Sequence, residues 1–336
     1  MDYCNCKECN FYQQECSGCS MCEAPLVCNN NCSECIYTCR RRPGAAYYYK
    51  KIRQLEIKLI PNESYEMPIY IPTLPSPLNI SYEANDMPMV AVHGGKYMSA
   101  NGSRISKIYE VKGVHNTLNL NKETKILLHF YVKDRTLEGF WNNRENIYNQ
   151  LKNESFSFII SPNFSVYEDS PRIEHLINIR RSVIVYNELR KAGINAVPDV
   201  SWYDIKDLEK WAELIKECNI KLFAFSFQTV GLAKRSTNAW KGYMLGLKYL
   251  CQRIPNDVGV IIVGLSGRGR IKEILNVTAD RKVAFINTYA FMRAKSGRTY
   301  GSTEIQIDKT HDELIIENVR EMMGRYGVLK GRNIEK

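Results

Sequence analysis

The sequence predicts an α/β protein built around a (βα)8-like barrel, with a separate module at its N-terminus. Short apolar segments alternate along the chain with longer segments of helical periodicity. This alternation is typical of a parallel sheet that is covered by helices on both faces. The N-terminal module is indicated by the cysteines, because ten of the 12 lie in the first 39 of 336 residues. No apolar stretch approaches the roughly 20 residues of a membrane span, which excludes an integral membrane protein.

Seven short apolar runs are predicted to form strands. They cover residues 89–92, 126–132, 156–160, 194–197, 221–227, 258–263 and 283–286. Residues 55–60 form an eighth candidate, so the barrel is incomplete if that run is not a strand. A doubly wound open parallel sheet is the alternative, and in both architectures ligands bind at the carboxyl ends of the strands.

Helical periodicity appears between these runs, and the remaining segments suggest three regions. Helices are predicted over residues 137–151, 172–192, 205–217, 239–253, 271–275 and 312–325. Six prolines between residues 61 and 88 exclude a helix there and favour an extended segment that wraps the core. We therefore expect a cysteine-rich module over residues 1–39, a basic and then proline-rich linker over residues 40–88, and the barrel over residues 89–336.

The cysteine-rich module is predicted to bind metal. Its cysteines are Cys4, Cys6, Cys9, Cys16, Cys19, Cys22, Cys28, Cys32, Cys35 and Cys39. Repeated C-x2-C steps let two thiolates of one tight turn reach the same ion, and four thiolates close a structural zinc site. Ten cysteines could hold two Zn²⁺ ions, although the spacing does not assign the pairs. No signal-type apolar run precedes them, so we expect a cytoplasmic protein with reduced thiols.

One part of the module permits a different metal. Cys28-x3-Cys32-x2-Cys35 has the spacing that holds a [4Fe–4S] cluster in radical S-adenosylmethionine enzymes. However, Glu34 stands before the third cysteine, where that family usually has an aromatic residue. We therefore keep the iron–sulfur cluster as the alternative to structural zinc.

The positive charge of the chain is concentrated near its C-terminus. Residues 231–336 hold 19 Lys and Arg against 10 Asp and Glu, which accounts for nearly all of the net charge of +10. Many of these residues follow three consecutive predicted strands, where barrels often bind phosphate. The predicted phosphate- or nucleic-acid-binding residues are Lys234, Arg235, Ser266, Arg268, Arg270, Arg293, Lys295 and Arg298, together with Trp202 as a base-stacking residue.

Three residues at predicted carboxyl ends are candidates for catalysis. Asp199 follows a buried strand and is the best-placed carboxylate, and Asn163 follows the preceding strand. His93 is a candidate general base or ligand. Glu168 and Asp169 form a carboxylate pair that could hold Mg²⁺, although a helix-capping role is the simpler interpretation.

The motifs at these strand ends resemble a family of uncharacterised proteins, a domain of unknown function found in bacteriophages, plasmids and their bacterial hosts. The resemblance covers about residues 155–275. It rests on Ser161-Pro162-Asn163-Phe164-Ser165, Pro198-Asp199-Val200-Ser201-Trp202, Ser226-Phe227-Gln228-Thr229-Val230-Gly231 and Lys241-Gly242-Tyr243. It implies a mobile-element context, and it brings no established activity.

These observations favour a nucleic-acid-binding or nucleic-acid-processing protein with a structural zinc module. Arg40–Arg42, which directly follow that module, could also contact the phosphate groups of the nucleic acid. Three alternatives remain open at this point. They are a radical iron–sulfur enzyme, a barrel enzyme that acts on a nucleobase or nucleotide with Asp199 as nucleophile or base, and a non-enzymatic adaptor. No membrane partner is expected.

Overall fold

The computed structural model describes residues 58–167, 172–230 and 237–334. These residues form eight strands: β1 (Tyr70–Leu74), β2 (Met89–His93), β3 (Lys125–His129), β4 (Phe158–Ile160), β5 (Ala196–Val197), β6 (Leu222–Ser226), β7 (Gly259–Val263) and β8 (Val283–Asn287). They also form nine helices: α1 (Gly94–Tyr97), α2 (Lys107–Leu118), α3 (Asp134–Leu151), α4 (Arg172–Lys191), α5 (Ile205–Glu217), α6 (Thr237–Cys251), α7 (Arg268–Thr278), α8 (Tyr289–Lys295) and α9 (His311–Ile334). Among the described helices, none combines the length with the apolarity that a membrane crossing requires.

The strands form one parallel sheet that is nearly closed into a barrel, as the sequence predicts. The strand order is β5-β4-β3-β2-β1-β8-β7-β6, so β5 and β6 are the two edges. Asp199, just beyond β5, makes a parallel bridge with Ala224 of β6. The amide of Val200 donates to the Ala224 carbonyl, and the Ala224 amide donates to the Pro198 carbonyl, each at 2.9 Å. These bonds join the edges and confirm a (βα)8-like barrel.

The eighth strand is not the one that the sequence predicts. Residues 58–60 are the described part of the candidate run 55–60, and they lie outside any strand. The eighth strand is instead β1, in the proline-rich segment, where it pairs with β2 and β8. Pro72 hides this strand in the sequence, because proline lacks a ladder donor and is rare in central strands. The barrel therefore includes part of the segment that we expected to be a linker.

The helix predictions agree with the structure for the long amphipathic helices and miss three others. Asp204 and Asp207 form a reciprocal capping box at the start of α5, and its bounds are as predicted. The helices α1 and α8 are too short for periodicity to show them. In α2, Gly113 has a φ of 71° and interrupts the helical conformation, which weakens the pattern that would have revealed the helix.

The barrel interior is filled with apolar side chains below its carboxyl-end mouth. Residues such as Ile71, Leu127 and Ile261 are fully buried there. Tyr65 and Met67 lie just before β1 and pack against this interior cluster, and the Tyr65 ring lies 4.7 Å from that of Phe158. The mouth at the carboxyl ends is therefore the place where a small molecule could enter.

Asn62 joins the two edge strands where the backbone ladder does not. Its side-chain amide donates to the carbonyl of Leu222 at 2.8 Å and to that of Ala196 at 3.5 Å. Its Oδ1 accepts from the amides of Lys221 at 2.8 Å and Leu222 at 3.3 Å. The side chain is only 4% exposed. Asn62 thus takes the place of a strand pair between β5 and β6.

The C-terminal helix α9 covers β1, which is followed by a short 3-10 turn at Ala84–Asp86 instead of a long helix. The Tyr326 ring lies 5.6 Å from that of Tyr70 in β1. Arg320 forms an ion pair with Asp86 of the turn. In this way the last helix supplies the outer layer that the first strand lacks.

We predict that Asn62→Ala lowers the free energy of unfolding by about 2–4 kcal/mol, because it leaves buried backbone groups of both edge strands without partners. Chemical denaturation monitored by circular dichroism measures this effect. Asn116→Ala is the control, since Asn116 is exposed and bonds only within its own helix, and it should change stability by less than about 0.5 kcal/mol. Equal effects of the two variants would contradict the bridging role of Asn62.

Candidate functional site

The inward-facing side chains of the barrel change from apolar to polar at one level near the mouth. Side chains alternate between the two faces of a sheet, so the residue two positions after an inward residue also faces inward. For six strands that next position is polar. These residues are Thr73, His93, His129, Asp199, Ser226 and Thr288, which follow the interior residues Ile71, Ala91, Leu127, Val197, Ala224 and Ile286. The polar ring marks the candidate site.

A cavity of about 190 Å³ opens at the mouth of the barrel, beside the carboxyl ends of β3, β4, β5 and β6. Its lining includes Tyr131, Asn163, Ser201, Trp202, Gln228 and Tyr243, and we call it the Trp202 cavity. The rings of Trp202 and Tyr243 lie 5.3 Å apart and form an aromatic wall. The side-chain amides of Asn163 and Gln228 have no hydrogen-bond partner in the described part of the chain. The two rings are tilted by 59° to each other. The cavity thus combines aromatic side chains with unused donors and acceptors.

The carboxyl group of Asp199 lies beneath this cavity and is fully buried. The Tyr131 hydroxyl donates to its Oδ1 at 2.5 Å, and the Ser201 hydroxyl donates to its Oδ2 at 3.3 Å. The Asp199 amide donates to the Ser161 hydroxyl at 3.1 Å. Both donors to the carboxyl group also line the Trp202 cavity. A molecule in the cavity would therefore meet Asp199 through Tyr131 and Ser201.

The carboxyl group of Asp199 changes its protonation state near neutral pH. Burial raises its pKa to about 7, and the hydrogen bonds from Tyr131 and Ser201 oppose this increase because they favour the ionised form. Burial and the neighbouring carboxylate raise the pKa of Tyr131 well above its ordinary value. Tyr131 therefore stays a donor, whereas Asp199 can take up or release a proton at physiological pH.

His93, the predicted general base, has both ring nitrogens engaged. The Gly95 amide donates to Nδ1 at 3.1 Å, and Nε2 lies 2.9 Å from the carbonyl oxygen of Tyr131. Because Nδ1 accepts, Nε2 carries the hydrogen and donates to that carbonyl. Burial lowers the pKa of His93 and favours this neutral form. In this arrangement the imidazole caps α1 and braces Tyr131, and neither nitrogen is free to act as a base.

His129 lies beside His93 on the next strand and is in the opposite situation. The two rings are 5.2 Å apart, edge to face. His129 is 2% exposed, and neither of its ring nitrogens has a hydrogen-bond partner in the described part of the chain. Burial lowers its pKa to about 3 and keeps the ring neutral. Each buried, unsatisfied polar group costs about 1–3 kcal/mol of folding free energy. His129 therefore lowers the stability of the folded protein.

A second cavity of about 440 Å³ lies at the mouth over the strands on either side of β1. Its lining includes Thr73, His129, Gln228, Ser266, Asn287 and Thr288, and we call it the His129 cavity. Gln228 lines both cavities. A glycine is required opposite it, because Gly264 has a φ of +84° and a Cβ there would lie 2.5 Å from the Gln228 side chain. This tight contact places Gln228 at the boundary of the two cavities.

The structure places three of the predicted phosphate-binding arginines away from these cavities. The guanidinium of Arg293 donates to the Thr299 carbonyl at 2.9 Å and so supports its own loop. The Arg270 guanidinium lies 4.7 Å from the centroid of the Trp240 ring. Arg268 lines a separate groove beside α9. The three strand-end loops therefore do not bring these side chains together at the mouth.

The other predicted binding residues are dispersed. Ser266 lines the His129 cavity. Lys295 is exposed and Arg298 is half-buried, and neither lines the Trp202 or the His129 cavity. Lys234 and Arg235 lie outside the described residues. Of the residues predicted for binding, only Trp202 and Ser266 are thus found at the mouth within the described ranges.

The predicted metal ligands also fall outside the described part of the chain. This holds for all ten cysteines of the N-terminal module and for Glu168 and Asp169. The two later cysteines, Cys218 and Cys251, are buried free thiols, as the sequence suggests. Within residues 58–167, 172–230 and 237–334, no group of three or more His, Cys, Asp or Glu side chains is placed to hold a metal ion.

Sequence reasoning finds Asp199, Asn163 and Trp202 at the Trp202 cavity and misses its most informative neighbours. Tyr131 and His129 escape notice because residues 126–132 look like one uninterrupted apolar strand. Strand alternation is the signal that could have revealed them, since a histidine and a tyrosine share one face of that run. His93 and His129 are also paired in register across β2 and β3.

We predict that Asp199→Asn stabilises the unliganded protein increasingly as pH rises. The folded-state pKa of about 7 lies above the ordinary value of 3.8, so the stability that the neutral carboxyl group contributes is complete below about pH 4 and is lost as pH rises through 7. Asparagine remains neutral throughout. The difference in unfolding free energy between variant and wild type should increase by about 2–3 kcal/mol from pH 5 to pH 8. A difference that is independent of pH in denaturation experiments would refute the raised pKa.

Comparison with known proteins provides a partial match. Residues 107–266 match the profile of a family described as a domain of unknown function (DUF4417). The matched region is just under half of the chain and includes Asp199 and most of the lining of the Trp202 cavity. A search of curated proteins finds no match to the chain. Over residues 107–266, the chain is similar to an uncharacterised domain family.

Proposed function

We propose that the chain is a barrel enzyme that carries out acid–base chemistry on a nucleobase, with Asp199 as the group that holds the proton. The observation that carries the proposal is a buried carboxyl group with a pKa of about 7 directly beneath a cavity at the barrel mouth. Enzymes place such groups where protons must move at neutral pH.

The lining of the Trp202 cavity suits a flat, polar ring. The face of either the Trp202 ring or the Tyr243 ring can stack on a base, since the two rings are tilted by 59° to each other. The amides of Asn163 and Gln228 each offer a donor and an acceptor, as base edges require. The volume of about 190 Å³ admits one such ring rather than a polymer. A nucleobase combines the shape and the hydrogen-bonding edges that this lining can recognise.

The surroundings of Asp199 favour proton transfer over direct nucleophilic attack. A nucleophile must touch the reacting carbon, but Asp199 is fully buried and both of its oxygens accept hydrogen bonds. Ser201 bridges the carboxyl group and the cavity. A proton can pass between the substrate and Ser201 Oγ while the Ser201 proton passes to or from Asp199 Oδ2.

This relay fits the hydrolysis or exchange of a base bound to a sugar. In hydrolysis, the base leaves with the electron pair of the bond to the sugar and takes a proton that originates on Asp199. Water supplies the hydroxyl group that replaces the base, and its remaining proton restores the Asp199 carboxylic acid. In exchange, a second base replaces the water.

We favour this function over the nucleic-acid binding that the net charge of the chain suggests. The side chains of Arg268, Arg270 and Arg293 line neither the Trp202 cavity nor the His129 cavity. The mobile-element context that the sequence motifs imply agrees with a substrate drawn from nucleic-acid metabolism.

We predict that Asp199→Asn slows the reaction without preventing substrate binding. Incubation of the full chain with ribonucleosides and labelled free bases, followed by chromatography, should show base release or exchange. Because asparagine cannot move the proton, we expect the variant to bind the same base and to turn over about 10²–10⁴-fold more slowly.

Asp257→Asn is the matched control, because Asp257 is exposed, pairs with Lys221 and lies at the amino end of β7. It should retain wild-type turnover. Two results would sink the proposal: no base or nucleoside binds to the wild-type chain, or Asp199→Asn turns over at the wild-type rate.

The cysteine-rich module leads to a separate prediction. Aerobically and anaerobically purified full-length protein should be colourless and contain about two zinc ions per chain, as two four-thiolate sites require. Elemental analysis and a visible spectrum measure both properties. A brown protein that contains iron and is bleached by dithionite would instead favour a radical enzyme that uses Cys28, Cys32 and Cys35.

A further inference from the structure

We infer that the His129 cavity is a subsite for the sugar of a nucleoside whose base occupies the Trp202 cavity, with His129 as a direct contact. This inference rests on the proposed nucleobase function and adds the substrate class to it. The observations that carry it are a cavity without charged side chains and a buried imidazole whose two nitrogens have no partner.

The composition of the His129 cavity selects an uncharged ligand. Hydroxyl groups of Thr73, Ser266 and Thr288 line it, and no Lys, Arg, Asp or Glu of the described residues does so. A phosphate group is bound most strongly by charged donors such as those of arginine and lysine. A hydroxylated group can be bound by neutral donors and acceptors alone, so the lining fits a sugar better than a phosphate.

The imidazole of His129 supplies the matching pair of polar atoms. A neutral ring has one donor nitrogen and one acceptor nitrogen, and both are unused in His129. His93, on the adjacent strand, shows that this fold can satisfy an imidazole internally when the ring serves the structure. Two free nitrogens on a ring that is 2% exposed therefore point to a ligand that supplies a hydroxyl acceptor and a hydroxyl donor.

The two cavities are close enough for one nucleoside. Both are lined by Gln228. Tyr131 of the Trp202 cavity and His129 lie two residues apart on one strand and its extension, with ring centroids 5.5 Å apart. The bond between base and sugar would cross this boundary. Tyr131 and Ser201, which both donate to Asp199, line the base side of it. The proposed proton transfer to the leaving base takes place on that side.

The test compares free bases with their ribonucleosides by isothermal titration calorimetry on the full chain. Adenine, guanine, cytosine and uracil are the base probes. For the base that binds, we expect its nucleoside to bind about tenfold more tightly or better. His129→Leu should reduce nucleoside affinity to that of the free base and leave base affinity within about twofold. Thr73→Val, which keeps the side-chain shape, should weaken nucleoside binding in the same selective way.

Stability separates a ligand contact from a structural role. The unliganded His129→Leu variant should melt at or above the wild-type temperature, because an apolar side chain replaces unsatisfied polar atoms. Thr117→Val is the control for Thr73→Val, since Thr117 is buried in α2 and its hydroxyl donates to the Ile108 carbonyl. It should leave both affinities unchanged.

Several results overturn the inference. A nucleoside that binds no more tightly than its base, or that binds His129→Leu as well as wild type, removes the sugar subsite and leaves the proposed function intact. A nucleoside monophosphate that binds more than about tenfold tighter than the nucleoside assigns the cavity to phosphate instead. If no base binds at all, the proposed function fails and the subsite fails with it.

Discussion

The structure depends on the closure of the barrel between β5 and β6. Closure requires the two edges to meet, yet β5 has only two residues in the sheet. The gap is bridged by the Asn62 side chain and by the backbone around Asp199, which bonds to Ala224. The residue that closes the barrel therefore also carries the buried carboxyl group. Its side chain faces inward because it continues the alternation of Val197, so barrel closure and burial of the carboxyl group are one constraint.

Barrel closure therefore leaves the Asp199 carboxyl group able to exchange a proton near neutral pH, at a cost in the free energy of folding. A carboxyl group on the inner face of a closed barrel loses its hydration, and the described residues give it two hydroxyl donors and no cation. Desolvation then outweighs the hydrogen bonds, and the pKa rises to about 7. A lysine or arginine partner would have stabilised the ionised form and removed its capacity to exchange protons near neutral pH. The neutral surroundings thus favour acid–base chemistry at the expense of folding energy.

Much of the architecture follows from sequence alone because buried parallel strands are short, apolar and separated by helices. Seven strands and the positions of Asp199, Asn163 and Trp202 could be predicted in this way. The strand β1 could not, because Pro72 is normally a sign against a central strand. The surroundings of the arginines could not be predicted either, for a different reason. Sequence shows that Arg293 follows a strand, but not that its guanidinium is used by the carbonyl of Thr299. Charge near a strand end predicts a binding role only when the side chain has no structural partner.

The same criterion separates the two histidines of the polar ring. His93 and His129 are paired in register on neighbouring strands, so backbone geometry does not distinguish them. His93 has a backbone donor and a backbone acceptor, and its ring is part of the fold. His129 has neither, although burial makes unsatisfied nitrogens costly. Because the fold satisfies one imidazole and leaves its neighbour unsatisfied at the wall of a cavity, we propose that a ligand completes the hydrogen bonding of His129.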